Sequence, residues 1–462
     1  MQTINRRQAL SVLAGLPWAA RVARAESGEP GQIDVSLVAQ RSWVRIGTSD
    51  AYLDTYNGVL PGPALEARPG DQITIRFRND LPEPTNLHYH GLHVPPSGRA
   101  DNAMLTIPPG EQFDYQFEIP QTHPAGTFWY HPHVHGFAAG QVSRGLAGVI
   151  IIRGELDVIP EIAAAPEQLI VLEDFSLDRN GVPVEPSFME KVSGREGSVV
   201  TVSGRIRPTI AIEHGGWVRL RILNASSSRF YRLSLEEHSF SVIATDGGAV
   251  TSPVECMELL VAPGERVEAM VQGLRPQGQY RLLNLPYRRI SGMVRASRPE
   301  VLATVEYVAA SSETWSLPRK LSSIDLLPEP SVRRTFLLGG GMGMSGMGGG
   351  GMAFTINGRA FIPNRVDTVV RLDTVEDWRF VNPSTMDHPM HIHTNPFQLI
   401  GSDGRPDPTW KDVVVVPTQS AVTVRTVFRD FVGTPMYHCH ILDHEDLGMM
   451  ATLQILAREG SA

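Results

Sequence analysis

Along this chain apolar and polar residues alternate in short runs instead of recurring at helical spacing. Ile73-Thr74-Ile75-Arg76-Phe77 is one such run, and Pro-Gly, Asn-Asp and Gly-Gly turn signals bound many others. Period-two alternation between turns predicts half-buried strands, and long amphipathic helical patterns are scarce, so the expected class is all-β, built from β-sandwiches. The pattern also repeats. Gly70-Asp71-Gln72-Ile73-Thr74-Ile75-Arg76-Phe77-Arg78-Asn79 recurs as Gly215-Gly216-Trp217-Val218-Arg219-Leu220-Arg221-Ile222-Leu223-Asn224, and more faintly as Val375-Glu376-Asp377-Trp378-Arg379-Phe380-Val381-Asn382. A second marker, at Pro109, Pro263 and Pro417, recurs in the same order. Fixed order and spacing predict three consecutive units of one β-fold, taken as residues 26–155, 156–315 and 316–462, with the middle unit spacing the outer two.

Composition narrows the picture. The 462 residues include 43 Gly and 35 Pro, and the net charge is -8 with no Lys/Arg-rich run. That excludes a nucleic-acid partner. Residues 1–25 combine Arg6-Arg7, a short apolar stretch and Ala23-Arg24-Ala25, the layout of a cleavable export signal, and the paired arginines are similar to the twin-arginine type. The expected location is the periplasm or the cell exterior. No later stretch is long and apolar enough to span a bilayer, and a monomer is expected.

The count that points to chemistry is 15 His against 2 Cys. Ten of the histidines fall in His88-Tyr89-His90, His131-Pro132-His133, His388-Pro389-Met390-His391-Ile392-His393 and His438-Cys439-His440 with His444. On a strand, His-x-His puts both imidazoles on one face. Two such pairs in the first unit and two in the third make eight imidazoles able to enclose a metal cluster, and the middle unit has none. Imidazole suits copper, zinc, iron or nickel. Cys439, between His438 and His440, must face the other way, where His388, His444 and Met449 complete the set of two His, one Cys and one Met that makes a blue-copper site. Zinc modules use tighter Cys/His spacing, and a catalytic Cys–His pair does not call for so many further histidines. Cys256 has no local partner ligands and is expected to be a buried thiol. His93, His123, His135, His214 and His238 lie outside the set.

The motifs His88-Tyr89-His90-Gly91, Trp129-Tyr130-His131-Pro132-His133, His388–His393 and His438–Met450 resemble the copper signatures of the multicopper oxidases, in particular bacterial laccases and cuprous oxidases. The likeness extends to Trp410-Lys411-Asp412 and Ala244–Gly248. It implies three cupredoxin-like Greek-key domains, four copper ions, and oxidation of a substrate coupled to reduction of O2 to water. Carried over residue by residue, His388, Cys439, His444 and Met449 hold type 1 copper and His88 and His391 type 2. His90, His131 and His440, and His133, His393 and His438, hold the type 3 pair. An axial Met, in place of Leu or Phe, implies a modest reduction potential. Glu445 and Asp101 match acids that the family keeps near the cluster, and are expected to relay protons. Asp387 and Asp412 are candidates for orienting the electron donor.

Residues 339–352 read GGGMGMSGMGGGGM. Met342, Met344, Met347 and Met352 offer thioethers, which favour Cu(I). The same composition also suits a plain flexible linker. The donor is expected among phenols, aromatic amines and Cu(I). The alternatives are a copper-resistance protein working mainly by Cu(I) oxidation or sequestration, a copper-free scaffold of the same fold, or a nitrite reductase. The last has two domains, and the scaffolds lose ligands that are all present here.

Overall fold

The computed structural model describes residues 31–290, 298–311, 315–340 and 353–458. The export signal and Met342, Met344, Met347 and Met352 lie outside the described residues. Among those residues the chain forms six sheets, two in each third of the sequence, and only short helices. The all-β expectation is borne out.

The sequence repeat is the central strand of one sheet in each unit. Gln72–Asn79 runs parallel to Gln32–Ile46 and antiparallel to Gln112–Glu118. Trp217–Asn224 stands the same way between Glu167–Phe175 and Arg266–Gln272. Thr374–Asn382 does so between Val332–Gly339 and Ser420–Phe428. Parallel neighbours need a crossover between them, and one strand of the facing sheet lies on that route in each unit: Gly62–Ala67, Thr209–His214 and Thr368–Arg371. Each repeat strand ends in a buried Asn that clamps the following loop. Asn79 Nδ2 donates to Glu83 O and Ile107 O, Asn224 Nδ2 to Arg229 O and Val261 O, and Asn382 Nδ2 to Met386 O and Val416 O.

Each unit closes its own apolar core. Phe77, Tyr89, Tyr115 and Tyr130 are central to the first, Leu220, Tyr231 and Phe240 to the second, and Trp378, Phe380 and Tyr437 to the third. Alternation misleads at Arg219 and Arg221, which occupy the expected solvent face of their strand but are buried. The middle unit's own Glu167, Asp157 and Glu268 pair with Arg221 there, and the first unit adds Thr127, whose Oγ1 accepts from Arg221 (3.1 Å). Cys256 is only half-buried, at the end of the strand Gly248–Cys256, because that strand lies at the sheet edge. No helix among the described residues is long and apolar enough to cross a membrane.

Candidate metal centres

Two hairpin-like pairings deliver the histidines. The strand His88–His90 lies antiparallel to Gly126–His131, with His88 opposite His131 and Tyr89 opposite Tyr130. In the third unit His388–Ile392 lies antiparallel to Met436–Cys439, with His391 opposite His438 and Met390 opposite Cys439. Alternation then sorts the side chains. His391, His393, His438 and His440 share one face, while His388, Met390 and Cys439 share the other.

On the first face the two outer units meet. His88 stacks on His393 with ring centroids 3.9 Å apart, and His90 stacks on His391 at 3.7 Å. His133 Nε2 and His393 Nε2 each lie 3.1 Å from His438 Nε2. His440 Nε2 lies 3.2 Å from His90 Nδ1. His88, His391 and His393 bring ligand atoms within 4.8 Å of one another, as do His88, His90 and His131. All eight rings are buried.

For five of the eight rings the other ring nitrogen shows how the ring is held. His88 Nδ1 donates to Asp101 (2.9 Å), His90 Nε2 to Asp412 Oδ1 (3.0 Å), His131 Nδ1 to Pro132 O (2.9 Å), His391 Nδ1 to Asp412 O (2.8 Å) and His438 Nδ1 to Cys439 O (3.1 Å). Each proton placed on the outer nitrogen leaves a lone pair on the inner one. The Nε2 atoms of His88, His131 and His391 are buried with no hydrogen-bond partner. Burial also keeps the imidazoles neutral, with His133 and His438 both pulled down to about 4. Buried, neutral, unprotonated nitrogens converging on one space are the donor set a cationic metal completes.

The second face carries a smaller centre. Cys439 Sγ is 3.5 Å from His388 Nδ1 and 3.7 Å from His444 Nδ1, and those two nitrogens are 3.3 Å apart. The centre of such a triangle lies about 2 Å from each corner, the length of a metal–imidazole bond. His444 Nε2 donates to Val192 O (3.0 Å), and His388 Nε2 lies 3.1 Å from Ser384 Oγ. Both Nδ1 atoms therefore stay free for a metal. Phe354 stacks on His444 at 3.9 Å. Met449 is buried in the same core, and its carbonyl accepts from Cys439 N (3.0 Å). Burial raises the Cys439 thiol, so a cation is needed to hold it as thiolate.

The remaining expected residues divide. Glu445, on the short helix Leu442–Asp446, is buried, with Oε2 3.1 Å from His438 Nδ1 and Oε1 3.7 Å from His133 Nε2. Burial pushes its carboxyl up to about 7, against a downward pull from His133. Asp101 touches His88, accepts from Tyr89 N (3.0 Å), and is likewise pushed by burial to about 7. The donor-orienting role expected of Asp412 does not fit its position. It is buried against His90 and His391 and gripped by Arg266, with no face left for an approaching substrate. Asp387 is also buried, accepting from Tyr287 Oη (2.7 Å) and Thr418 N (2.8 Å), so both of its oxygens are already engaged. Sequence reasoning missed the middle unit's share: Val192 over His444, and Arg266 behind Asp412. The Pro263-Gly264-Glu265 marker just before Arg266 was the one available signal.

Sandwiches of this kind, carrying a centre of two histidines and a cysteine back to back with a cluster of eight histidines, define a multidomain cupredoxin metalloprotein. Multicopper oxidase family models match residues 38–157, 174–305 and 338–459, and the chain belongs to the multicopper oxidase family, an enzyme family that uses copper. It is 30% identical over 411 residues to multicopper oxidase mco of Staphylococcus epidermidis, covering 87% of this chain and 83% of the relative. A solved Campylobacter jejuni multicopper oxidase, described as a metallo-oxidase, superposes with a TM-score of 0.84 at 32% identity, covering 95% of this chain and 94% of that one. The chain is also 29% identical over 436 residues to the cell division protein FtsP of Proteus mirabilis, covering 90% of this chain and 88% of the relative.

Proposed function

We propose that this enzyme is a four-copper, laccase-like oxidase of the periplasm or cell exterior, exported by the twin-arginine-type signal in residues 1–25 and acting as a monomer. In this reading the three units divide at 26–155, 156–315 and 316–462. His388, Cys439, His444 and Met449 hold type 1 copper and His88 and His391 type 2. His90, His131 and His440, with His133, His393 and His438, hold the type 3 pair. One observation carries the reading: Cys439 and its neighbours His438 and His440 project to opposite faces of the chain, so in this reading Cys439 serves one centre while His438 and His440 serve the other.

Bound copper would supply one-electron oxidation of the donor on the Cys439 face and reduction of O2 to water on the histidine face. The chain's own groups do the rest. Residues 438–440 give a continuous covalent link between the faces. Phe354 and the Val192 carbonyl cover His444 and exclude water from the smaller centre. Glu445 and Asp101, both touching ligand histidines and both near neutrality in affinity, hold the protons that water formation consumes.

The donors proposed are phenols, aromatic amines and Cu(I). A second reading, mainly Cu(I) oxidation or sequestration, is favoured by the four methionines of residues 339–352 and by the metallo-oxidase description of the Campylobacter jejuni relative. Likeness to FtsP raises a division role instead. Here every copper-ligand position is filled, which favours the oxidase.

The test is direct. Copper-loaded protein should bind four coppers, be blue, show a near-ultraviolet shoulder from the coupled pair, and consume O2 with a phenol or Cu(I). A colourless protein with less than one copper overturns the reading. Parallel steady-state kinetics with both donors would choose between the two readings.

A further inference from the structure

We propose that Arg266, in the copper-free middle unit, is a positioning residue for the histidine cluster, acting through Asp412 to fix the ring nitrogens of His90 and His391. The inference rests on the cluster assignment above and adds a role for a unit that contributes no ligand.

The guanidinium is fully buried, and all five of its N–H donors are engaged. Nε donates to Thr127 O (3.1 Å). Nη1 donates to Gly264 O (3.0 Å) and Asp412 Oδ1 (2.7 Å), and Nη2 to Asp246 O (2.9 Å) and Asp412 Oδ2 (2.5 Å). One side chain thus ties together the first unit (Thr127), its own unit (Gly264, Asp246) and the third (Asp412). The grip on Asp412 is a two-point fork, which fixes the plane of the carboxylate as well as its position.

Asp412 then addresses two ligands. Its Oδ1 accepts from His90 Nε2 and its backbone carbonyl accepts from His391 Nδ1 (2.8 Å). These hydrogen bonds place protons on the outer nitrogens and turn His90 Nδ1 and His391 Nε2 inward. The two rings come from different units and stack at 3.7 Å, so one aspartate sets both sides of the junction. Its neighbour adds a second fastening. Lys411 Nζ lies 2.9 Å from both Asp246 Oδ2 and Glu265 Oε1 of the middle unit.

The backbone is shaped to let the clamp close. Gly91, at φ +87, follows His90, and a Cβ there would lie 2.6 Å from Asp412 Oδ2 and collide with Arg266. Gly264, at φ +84, passes so near His440 that a Cβ would lie 2.8 Å from the ring. Both need glycine for conformation and for room.

The experiment compares copper-loaded wild type with Arg266→Lys, Arg266→Met and, as a control, Arg425→Lys. Arg425 is another buried arginine forked to a carboxylate, that of Asp377; its other polar contacts are Pro328 O and Glu329, and none of these is a proposed ligand. Copper retained against a chelator is counted by mass spectrometry, type 1 copper is followed by its blue band, and type 2 by its electron paramagnetic resonance signal. Lys keeps the charge but loses the fork. It should release cluster copper about 10- to 100-fold more readily, with an altered type 2 signal and an intact blue band. Met should be worse, and Arg425→Lys should match wild type. The proposal is overturned if Arg266→Lys retains copper with an unchanged type 2 signal. It is also overturned if the blue band disappears with the cluster, or if Arg425→Lys does the same, since either result makes Arg266 a general support of the fold. Failure of the wild type itself to load cluster copper would instead refute the proposed function.

Discussion

Glu173 is a buried carboxyl that the chemistry does not use. It lies on the strand Glu167–Phe175, only 3% exposed, and neither oxygen has a hydrogen-bond partner. It shares a strand face with Val171 and Phe175, which pack against the first unit through Trp129 and through Ile46, Ala51 and Leu53. Burial, helped by the neighbouring Asp174 charge, pushes its carboxyl from 4.5 up to about 8. A raised value means that the folded protein keeps a proton that the unfolded chain releases. Stability is therefore unaffected below about pH 4.5, falls as pH rises through the window, and levels off above about pH 8. Inside the window the slope is about 1.4 kcal/mol per pH unit and halves as the pH reaches about 8, so the change between pH 6 and pH 8 is roughly 2 kcal/mol. For a unit of about 150 residues that is roughly 4–8 °C in Tm. Glu173→Gln removes the titration while keeping the shape. Scanning calorimetry of wild type and variant, both copper-loaded, at pH 6, 7 and 8 should show the variant gaining on wild type by that amount; subtracting the two curves cancels every titration they share. A Tm difference that stays constant from pH 6 to pH 8 refutes the reasoning.

Three further outcomes are expected. Glu445→Gln should lower O2 turnover about 100-fold or more while leaving copper content and the blue band unchanged; loss of the blue band would mark Glu445 as a structural residue. Asn224→Ala strips the clamp from the Arg229 and Val261 carbonyls and should destabilise the middle unit by about 2–4 kcal/mol, measured by calorimetry, with the visible spectrum of the surviving folded protein unaltered. Deleting residues 340–351 should depress Cu(I) oxidation more than phenol oxidation, whereas equal loss in parallel kinetics would return that stretch to the role of a linker.

The two candidate donor sets were legible because strand alternation is a local rule. His438-Cys439-His440 cannot aim all three side chains one way, and that alone separates the two centres before any fold is known. The repeat was legible for a similar reason: Asn79, Asn224 and Asn382 end equivalent strands and do the same job three times. Asp412 misleads because its decisive partner, Arg266, is 146 residues away in another unit, and a buried fork between units leaves no periodic trace. Arg219 and Arg221 mislead because carboxylates from distant parts of their own unit, Asp157, Glu167 and Glu268, bury them. Alternation says which side chains share a face and is silent on whether solvent or another domain covers it.

Contacts between units also change the meaning of the middle one, which has no His-x-His pair and which the sequence suggests as a spacer. A spacer would touch neither centre, yet this unit reaches both. Its Val192 carbonyl takes the outer proton of His444, and its Arg195 forks onto Asp443, holding the helix that carries His444 and Glu445. On the other face Gly264 lies against His440 and Arg266 grips Asp412. Metal ligands need two things, a nitrogen facing inward and a proton fixed outward, and the two can come from different domains. The outer units supply the imidazoles and most of the acceptors that aim them; the domain between supplies the acceptor on His444 and the clamp behind Asp412. A repeat that lacks the ligand motif is therefore under strong constraint at the positions that face its siblings, and those positions, Val192, Gly264 and Arg266, are where a substitution far from any ligand motif would be felt at the copper.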